Sequence, residues 1–183
     1  MNKNNKILLA ISAILSAVFI FKKRDNIMTY VNEKVWDYSS QNKIDTLHPM
    51  VRNAAINFII SAEESGIKLR IVSAYRTYDE QNKLYAQGRT AKGNIVTNAK
   101  GGQSSHNFGT AIDVVPIVNG KPNWDADYTP IAKIGKALGF SWGGDWKSFK
   151  DKPHFEMNFG NSLAQLRDKH NSGQRKDGYV LLA

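Results

Sequence analysis

The chain has 183 residues, 42% of them hydrophobic, which suits one ordinary domain with a real core and excludes wholesale disorder. A formal net charge of +9 implies anionic partners: nucleic acid, anionic lipid or an acidic wall polymer. The absence of cysteine removes disulfides, thiolate metal sites and cysteine nucleophiles together, so any metal must sit on His, Asp or Glu.

Lys3 and Lys6 precede an uncharged run from Ile7 to Phe21, and Lys22, Lys23 and Arg24 close it. A helix of about 15 residues spans roughly 22 Å, short of the roughly 30 Å hydrocarbon core of a bilayer. Residues 1–24 therefore read as a signal peptide or a weak signal-anchor. No A-x-A cleavage site follows, which favours the tethered form. Basic charge is similar on both flanks, so it does not set the orientation. Residues 25–46 are polar with scattered apolar positions and read as a linker or peripheral helix.

The compact domain is placed at 47–170. From Val51, apolar residues at Ala54, Ala55, Phe58, Ile59 and Ala62 form a helical stripe that Gly66 ends. Leu69 and Ile71 alternate with Lys68 and Arg70, predicting a strand that runs into Ser73, Ala74 and Tyr75. Thr77 with Glu80 is a capping box, so a helix is expected from Tyr78 to about Gln87, stopping at Gly88. A long loop follows over roughly Arg89 to Ser105, and loops of this kind are usually functional.

Thr110 to Val118 reads as a buried strand. Thr129-Pro130 opens a helix through Ile131, Ile134 and Leu138, ended by Gly139. A strand fits His154 to Phe159 and a last helix Ser162 to about Lys169, with 171–183 as a C-terminal tail. Helices and strands mix without a βαβ rhythm. The expected class is α+β, with a small, mainly antiparallel sheet flanked by helices.

Neither a zinc-finger spacing nor a basic-aromatic module is present, so nucleic acid is not expected among the partners. Of the four histidines, His48 and His170 read as capping or surface residues. His106 and His154 each have carboxylates nearby. The segment Ser104 to Asp113 places His106 in a Gly-flanked turn and Asp113 inside an apolar strand, where a carboxylate is rarely buried without a partner. Alternation along the second segment, Asp151 to Glu156, puts His154 and Glu156 on one strand face, opposite Phe155. Two imidazoles and one carboxylate leave a fourth tetrahedral position open, as catalytic zinc requires. A further carboxylate must then move the proton, and Asp151 and Glu156 are the two local candidates. The H-E-x-x-H pattern, the G-x-S-x-G elbow, the P-loop and the dinucleotide fingerprint are all absent.

Ser104, His106, Gly109, Ala111 and Asp113 form an S-x-H-x-x-G-x-A-x-D signature that resembles that of the LAS zinc peptidases, relatives of D-alanyl-D-alanine carboxypeptidases. Pro153-His154-Phe155-Glu156 is similar to the second metal motif of that family. Ser73 to Thr77 resembles its arginine motif, extended by Glu80-Gln81, Leu84-Tyr85 and Gly88-Arg89-Thr90. The resemblance covers about Leu47 to Phe159. Trp142 to Trp146, and an aspartate at Asp151 three residues before His154, place it nearest the L-alanyl-D-glutamate endopeptidase and phage endolysin branch.

The resemblance implies a hedgehog-like fold with one Zn²⁺ on the sheet, held by His106, Asp113 and His154. It also implies Asp151 as general base and acid, and Arg76 as the cation that polarises the scissile carbonyl. Glu156 would orient a ligand or a neighbouring loop. Ser104 would bond backbone or substrate, and Asp145 would contact a substrate amine or cap a turn. Trp142, Trp146 and Tyr75 are candidates for the groove wall, with core packing the default for a tryptophan. The implied function is metal-assisted hydrolysis of peptidoglycan stem peptides by an exported enzyme, either membrane-anchored or secreted to the wall or periplasm. Anionic wall polymers are further expected partners, and a membrane is expected through the N-terminal segment. Two rivals stand beside this reading: a D-alanyl-D-alanine carboxypeptidase, and a non-catalytic wall-binding module on the same fold.

Overall fold

Side-chain caps set where three of the described helices start. The computed structural model describes residues 38–182. The run Ile7 to Phe21, read above as a signal or anchor, lies outside the described residues. Among those described, no helix is long and apolar enough to cross a membrane.

Helix α1 (Tyr38–Thr46) falls in the segment read as a linker or peripheral helix. Its Ile44 is buried in the main core, and the Ser40 hydroxyl accepts a 3.0 Å bond from the Ile71 amide. Helix α2 (Pro49–Glu64) opens on Pro49, whose missing amide hydrogen costs nothing at a first turn. His48 caps it, its Nδ1 accepting from Met50 N at 3.2 Å. Val51, Ala55, Phe58, Ile59 and Ala62 form the buried stripe of this helix, a helical spacing. Gly66, with φ of 78°, turns the chain out of it.

Strand β1 (Leu69–Ser73) follows, then α3 (Tyr78–Ala86). The capping box of α3 is reciprocal: Glu80 N donates to Thr77 Oγ1, and Thr77 N donates to Glu80 Oε2. Strand β2 (Ala111–Val118) is the centre of the sheet. A two-residue strand β3 (Lys121–Pro122) folds back on its end. Helix α4 (Thr129–Ala137), strand β4 (Ser141–Trp142) and strand β5 (His154–Glu156) follow. The sheet order is β1-β2-β5-β4, every pair antiparallel, with β3 beside β2. The edge strand β1 is shielded by α1, whose serine satisfies an amide the sheet leaves open.

The expected strand from His154 to Phe159 ends at Glu156, and Phe159 sits at φ of 50°, outside extended backbone. Helix α5 (Leu163–Asn171) has a second capping box, between Ser162 and Gln165. Within the segment read as a tail, β6 (Arg175–Lys176) and β7 (Tyr179–Val180) form a hairpin. Its turn, Asp177-Gly178, has φ of 53° and 87°, the positive pair that a tight two-residue hairpin requires. Val180 and Leu182 are buried with Phe108 and Leu166 in a second small core. His48 Nε2, 3.0 Å from the Val180 carbonyl, ties the hairpin to the start of α2.

The main core lies between the sheet and helices α1, α2 and α4. Phe155 is its hub: fully buried, edge-on to Phe58 at 4.8 Å and stacked with Trp142 at 6.4 Å. Gly135 lets α4 come this close, because a side-chain carbon there would meet the Phe155 and Phe58 rings at 2.8 Å. Removing the hub leaves a void that tight neighbours cannot fill. Phe155→Ala is therefore expected to cost about 3–5 kcal/mol in urea unfolding. A loss under about 1 kcal/mol would show that the sheet closes over the gap.

Candidate active site

The sheet register builds the site. Asp113 on β2 is the direct cross-strand partner of His154 on β5, and on its other side of Ser73 on β1. The β1 strand is bulged between Ile71 and Ser73, where the ladder shifts register beside the site. Phe155 and Ile112 point to the core from their strands, so His154 and Asp113 face the other way. His106 comes from a single 3₁₀ turn, Ser105–Phe108, closed by Gly109 at φ of 69°. No larger residue fits at Gly109: a side-chain carbon would lie 2.7 Å from His48 N.

His106, Asp113 and His154 each offer a ligand atom within 4.8 Å of the others, so they could hold a metal ion. Asp113 Oδ1 lies 3.3 Å from His106 Nε2 and 3.2 Å from His154 Nδ1. The outer ring nitrogens decide what these inner atoms are. His106 Nδ1 sits 2.6 Å from the Ala74 carbonyl, which accepts only, so Nδ1 carries hydrogen and Nε2 is a lone pair. His154 Nε2 sits 3.2 Å from Glu156 Oε2, another acceptor, which leaves Nδ1 free on the neutral ring. Three acceptor groups aimed at one point repel without a cation. The donor set therefore fits zinc, whose ligands are neutral imidazole and carboxylate.

The charges respond accordingly. Burial pushes the Asp113 carboxyl up, but the charge and hydrogen bonds of His106 and His154 overcome it and hold the group well below the usual range. Burial pushes His154 down, and bonds to Asp113 and Glu156 reverse this, raising it to about 9. Glu156 is pushed up by burial, but its bonds to His154 and Ser105 bring it below its ordinary value. The Ser105 hydroxyl donates to Glu156 Oε2 at 2.5 Å, and Asn158 Nδ2 donates to Ser105 Oγ at 3.1 Å. Glu156 is thus in place to orient His154. Glu156→Ala is expected to weaken metal binding about 10- to 100-fold, read by competition against a chelator. Unchanged affinity would show that the ring needs no such support.

Asp151 and Arg76 line the same cavity of about 790 Å³ as the triad. Burial, then the charge of Asp113, raises Asp151 above the ordinary carboxyl value. Its loop is held by the Trp142 to Trp146 segment: Gly143 O accepts from Asp151 N at 3.1 Å and from Trp146 N at 3.2 Å. A side-chain carbon at Gly143 would be 2.5 Å from the Asp151 carbonyl oxygen, so that approach needs glycine. Arg76 Nη2 donates to Ser73 Oγ at 2.8 Å and stands 4.0 Å from Asp113 Oδ2.

The remaining candidates separate. Ser104 lines the cavity, and so does Trp146, whose ring centre is 5.1 Å from that of His154. Trp142 packs on Phe155 and donates to the Lys152 carbonyl at 2.7 Å instead. Tyr75 opens on a different depression, beside the C-terminal hairpin. Asp145 pairs with Lys136 at 2.5 Å and does not line the cavity. Ser105, Asn158 and the Ala74 carbonyl were not singled out in the sequence. Ser105 had a signal, its place next to His106, but backbone carbonyls carry none.

A family model described as D-alanyl-D-alanine carboxypeptidase matches residues 97–157, the stretch that holds His106, Asp113, Asp151 and His154. The peptidoglycan L-alanyl-D-glutamate endopeptidase CwlK of Bacillus subtilis (strain 168) is 43% identical over 138 residues, covering 66% of this chain and 83% of that protein. The chain belongs to the LAS zinc peptidases. The L-alanyl-D-glutamate peptidase of Listeria phage A118 is 30% identical to this LAS peptidase over 120 residues, 63% of this chain and 40% of the phage protein. The crystal structure of the L-Ala D-Glu endopeptidase ChiX of Serratia marcescens matches with a TM-score of 0.53 at 23% identity. It covers 68% of this chain and 90% of that one, a likeness that establishes the LAS fold.

Proposed function

We propose that the protein is a zinc peptidase that hydrolyses the L-alanyl-D-glutamate bond of peptidoglycan stem peptides. One observation carries the reading: a two-histidine, one-aspartate cluster, a raised carboxyl at Asp151 and the Arg76 guanidinium share one open cavity. The similarity to CwlK supports the choice of bond.

His106, Asp113 and His154 would hold the zinc, which when bound supplies Lewis acidity and lowers the pKa of water toward about 7. Asp151 takes the proton from the attacking water and returns it to the leaving amine, a role suited to a carboxyl held above its usual value. Arg76 presents a fixed cationic donor pair where negative charge grows on the carbonyl oxygen. Glu156 and the Ala74 carbonyl keep both imidazoles turned with their lone pairs inward. No side chain in this scheme becomes acylated.

Digestion of purified stem peptides by the zinc-loaded protein tests the bond. The expected products carry a new C-terminal L-alanine and a new amino-terminal D-glutamyl residue by mass spectrometry. Release of free D-alanine instead would make it a carboxypeptidase, the activity by which the matching family model is described. No hydrolysis of any wall peptide would leave a wall-binding module. Against that module, Asp151 and Arg76 both line the cavity, and a module has no need of a proton carrier there.

For such a substrate the domain must reach the wall, so we place it outside the cell, with Ile7 to Phe21 as a weak anchor or export signal. A chain starting near Asn26 should remain active, since the proposed catalytic residues begin at Arg76. Protease accessibility in intact cells or spheroplasts decides the side. A domain retained in the cytoplasm throughout growth would leave only a phage-type enzyme released late.

A further inference from the structure

Gln81 on α3 is a fully buried polar side chain that the scheme above does not use. Its Oε1 accepts from Arg76 Nη1 at 2.7 Å. Its Nε2 donates to the Ala99 carbonyl at 2.8 Å and to Thr97 Oγ1 at 3.3 Å. The orientation of this amide is fixed by its partners: a guanidinium only donates and a carbonyl only accepts, so no flipped form satisfies both.

Thr97, Asn98 and Ala99 form one wall of the cavity, in a stretch without helix or strand. That wall stands on α3 through further side chains. Arg89, just past α3, donates to the Thr97 carbonyl at 3.0 Å and to Asn98 Oδ1 at 2.9 Å. Asn82 Oδ1 accepts from Gly101 N at 2.8 Å. Gln81 alone among these also touches Arg76. Losing it would take a partner from Arg76 Nη1 and from the Ala99 carbonyl, both partly buried, at once, so wall and guanidinium are set together.

We infer that Gln81 is a positioning residue that locks the Arg76 guanidinium to the Thr97 to Ala99 wall, so that whatever contacts the wall also sets the arginine. The kinetic part of this inference rests on the proposed peptidase function. The link itself does not.

Gln81→Met removes both halves of the link at similar length. Gln81→Glu keeps the acceptor for Arg76 but loses the donors to the wall. In zinc-loaded protein, Gln81→Met is expected to lower kcat about 10- to 100-fold, as misplacement of a reacting group does. Gln81→Glu should recover most of kcat and raise KM. In an Arg76→Ala background, Gln81→Met should cost nothing further in kcat, whereas a merely structural role would cost the same factor in both backgrounds. Equal losses in the two backgrounds, or kcat for Gln81→Met within about twofold of the parent, overturn the inference. Zinc content, measured beside kcat, should not change.

Two readouts need no activity. Trypsin should cut the folded variants faster than the parent at Lys92 and Lys100, on the loop that carries the wall. NMR of the ¹⁵N-labelled arginine side chains should show Arg76 freed in Gln81→Met and held in Gln81→Glu. Unchanged cleavage together with an unchanged Arg76 signal overturns the link. An inactive parent protein would defeat only the peptidase reading, with these two readouts still deciding the link. Should Gln81→Met not fold, Gln81→Asn, one carbon too short to bridge, takes its place.

Discussion

Alanine in place of His106, Asp113 or His154 is expected to abolish stoichiometric zinc and, with it, hydrolysis of the stem peptide. Each change removes one of three donors, and the two that remain cannot close a tetrahedral site. Losing a direct ligand should weaken binding more than the roughly 10- to 100-fold typical of an outer partner. The loss should differ in kind among the three. His106→Ala and His154→Ala each leave the partly buried Asp113 with one of its two imidazole partners. Asp113→Ala leaves the two imidazoles without the carboxylate between them, yet each keeps its outer partner, Ala74 O or Glu156. Metal analysis of the purified variants, with circular dichroism to confirm folding, decides the matter. Zinc content equal to the parent in all three would remove the triad as the metal centre.

Much of this centre was legible in the sequence because its parts sit on short, strongly marked segments. Asp113 was conspicuous as a carboxylate in an apolar strand, and the structure gives that strand the central place in the sheet. The alternation His154-Phe155-Glu156 correctly separated a core face from a polar face, since period two is a local property of a strand. Helices α2, α3 and α5 were placed within a few residues because their caps are encoded by side chains within one turn.

Less legible was whatever depends on partners far away in the chain. Helix α1 has a polar sequence, and only Ile44 and Ser40, reaching the core and β1, show why it forms. The C-terminal hairpin is two short pairs around Asp177-Gly178, held by contacts to Phe108, Leu166 and His48. His48 reads in the sequence as a capping or surface residue; it does cap α2, but it is buried rather than at the surface, and it braces that hairpin as well. Asp145 shows the converse: it lies in the Trp142 to Trp146 stretch that helped to carry the family resemblance, yet its carboxylate pairs with Lys136. Adjacency in sequence says that a residue is near the site, and only side-chain direction says that it faces it.

The sharpest separation of roles falls on the two carboxylates either side of His154. Asp151→Ala, and equally Asp151→Asn, is expected to keep zinc at parent affinity and to lower kcat about 10²- to 10⁴-fold, the contribution of a positioned proton carrier. The structure supports the metal half of this expectation: Asp151 makes no bond to either imidazole, and the loop that carries it hangs on backbone bonds to Gly143. Glu156→Ala should show the opposite pattern, because its carboxylate is engaged with His154 and Ser105 rather than open for proton transfer. Its activity should be low at limiting zinc and largely restored when zinc is saturating. Measuring kcat for both variants across a zinc titration separates the cases. If Asp151→Ala stayed near normal while Glu156→Ala remained inactive at saturating zinc, the proton carrier would be Glu156, and Asp151 would be only a buried neighbour of the site.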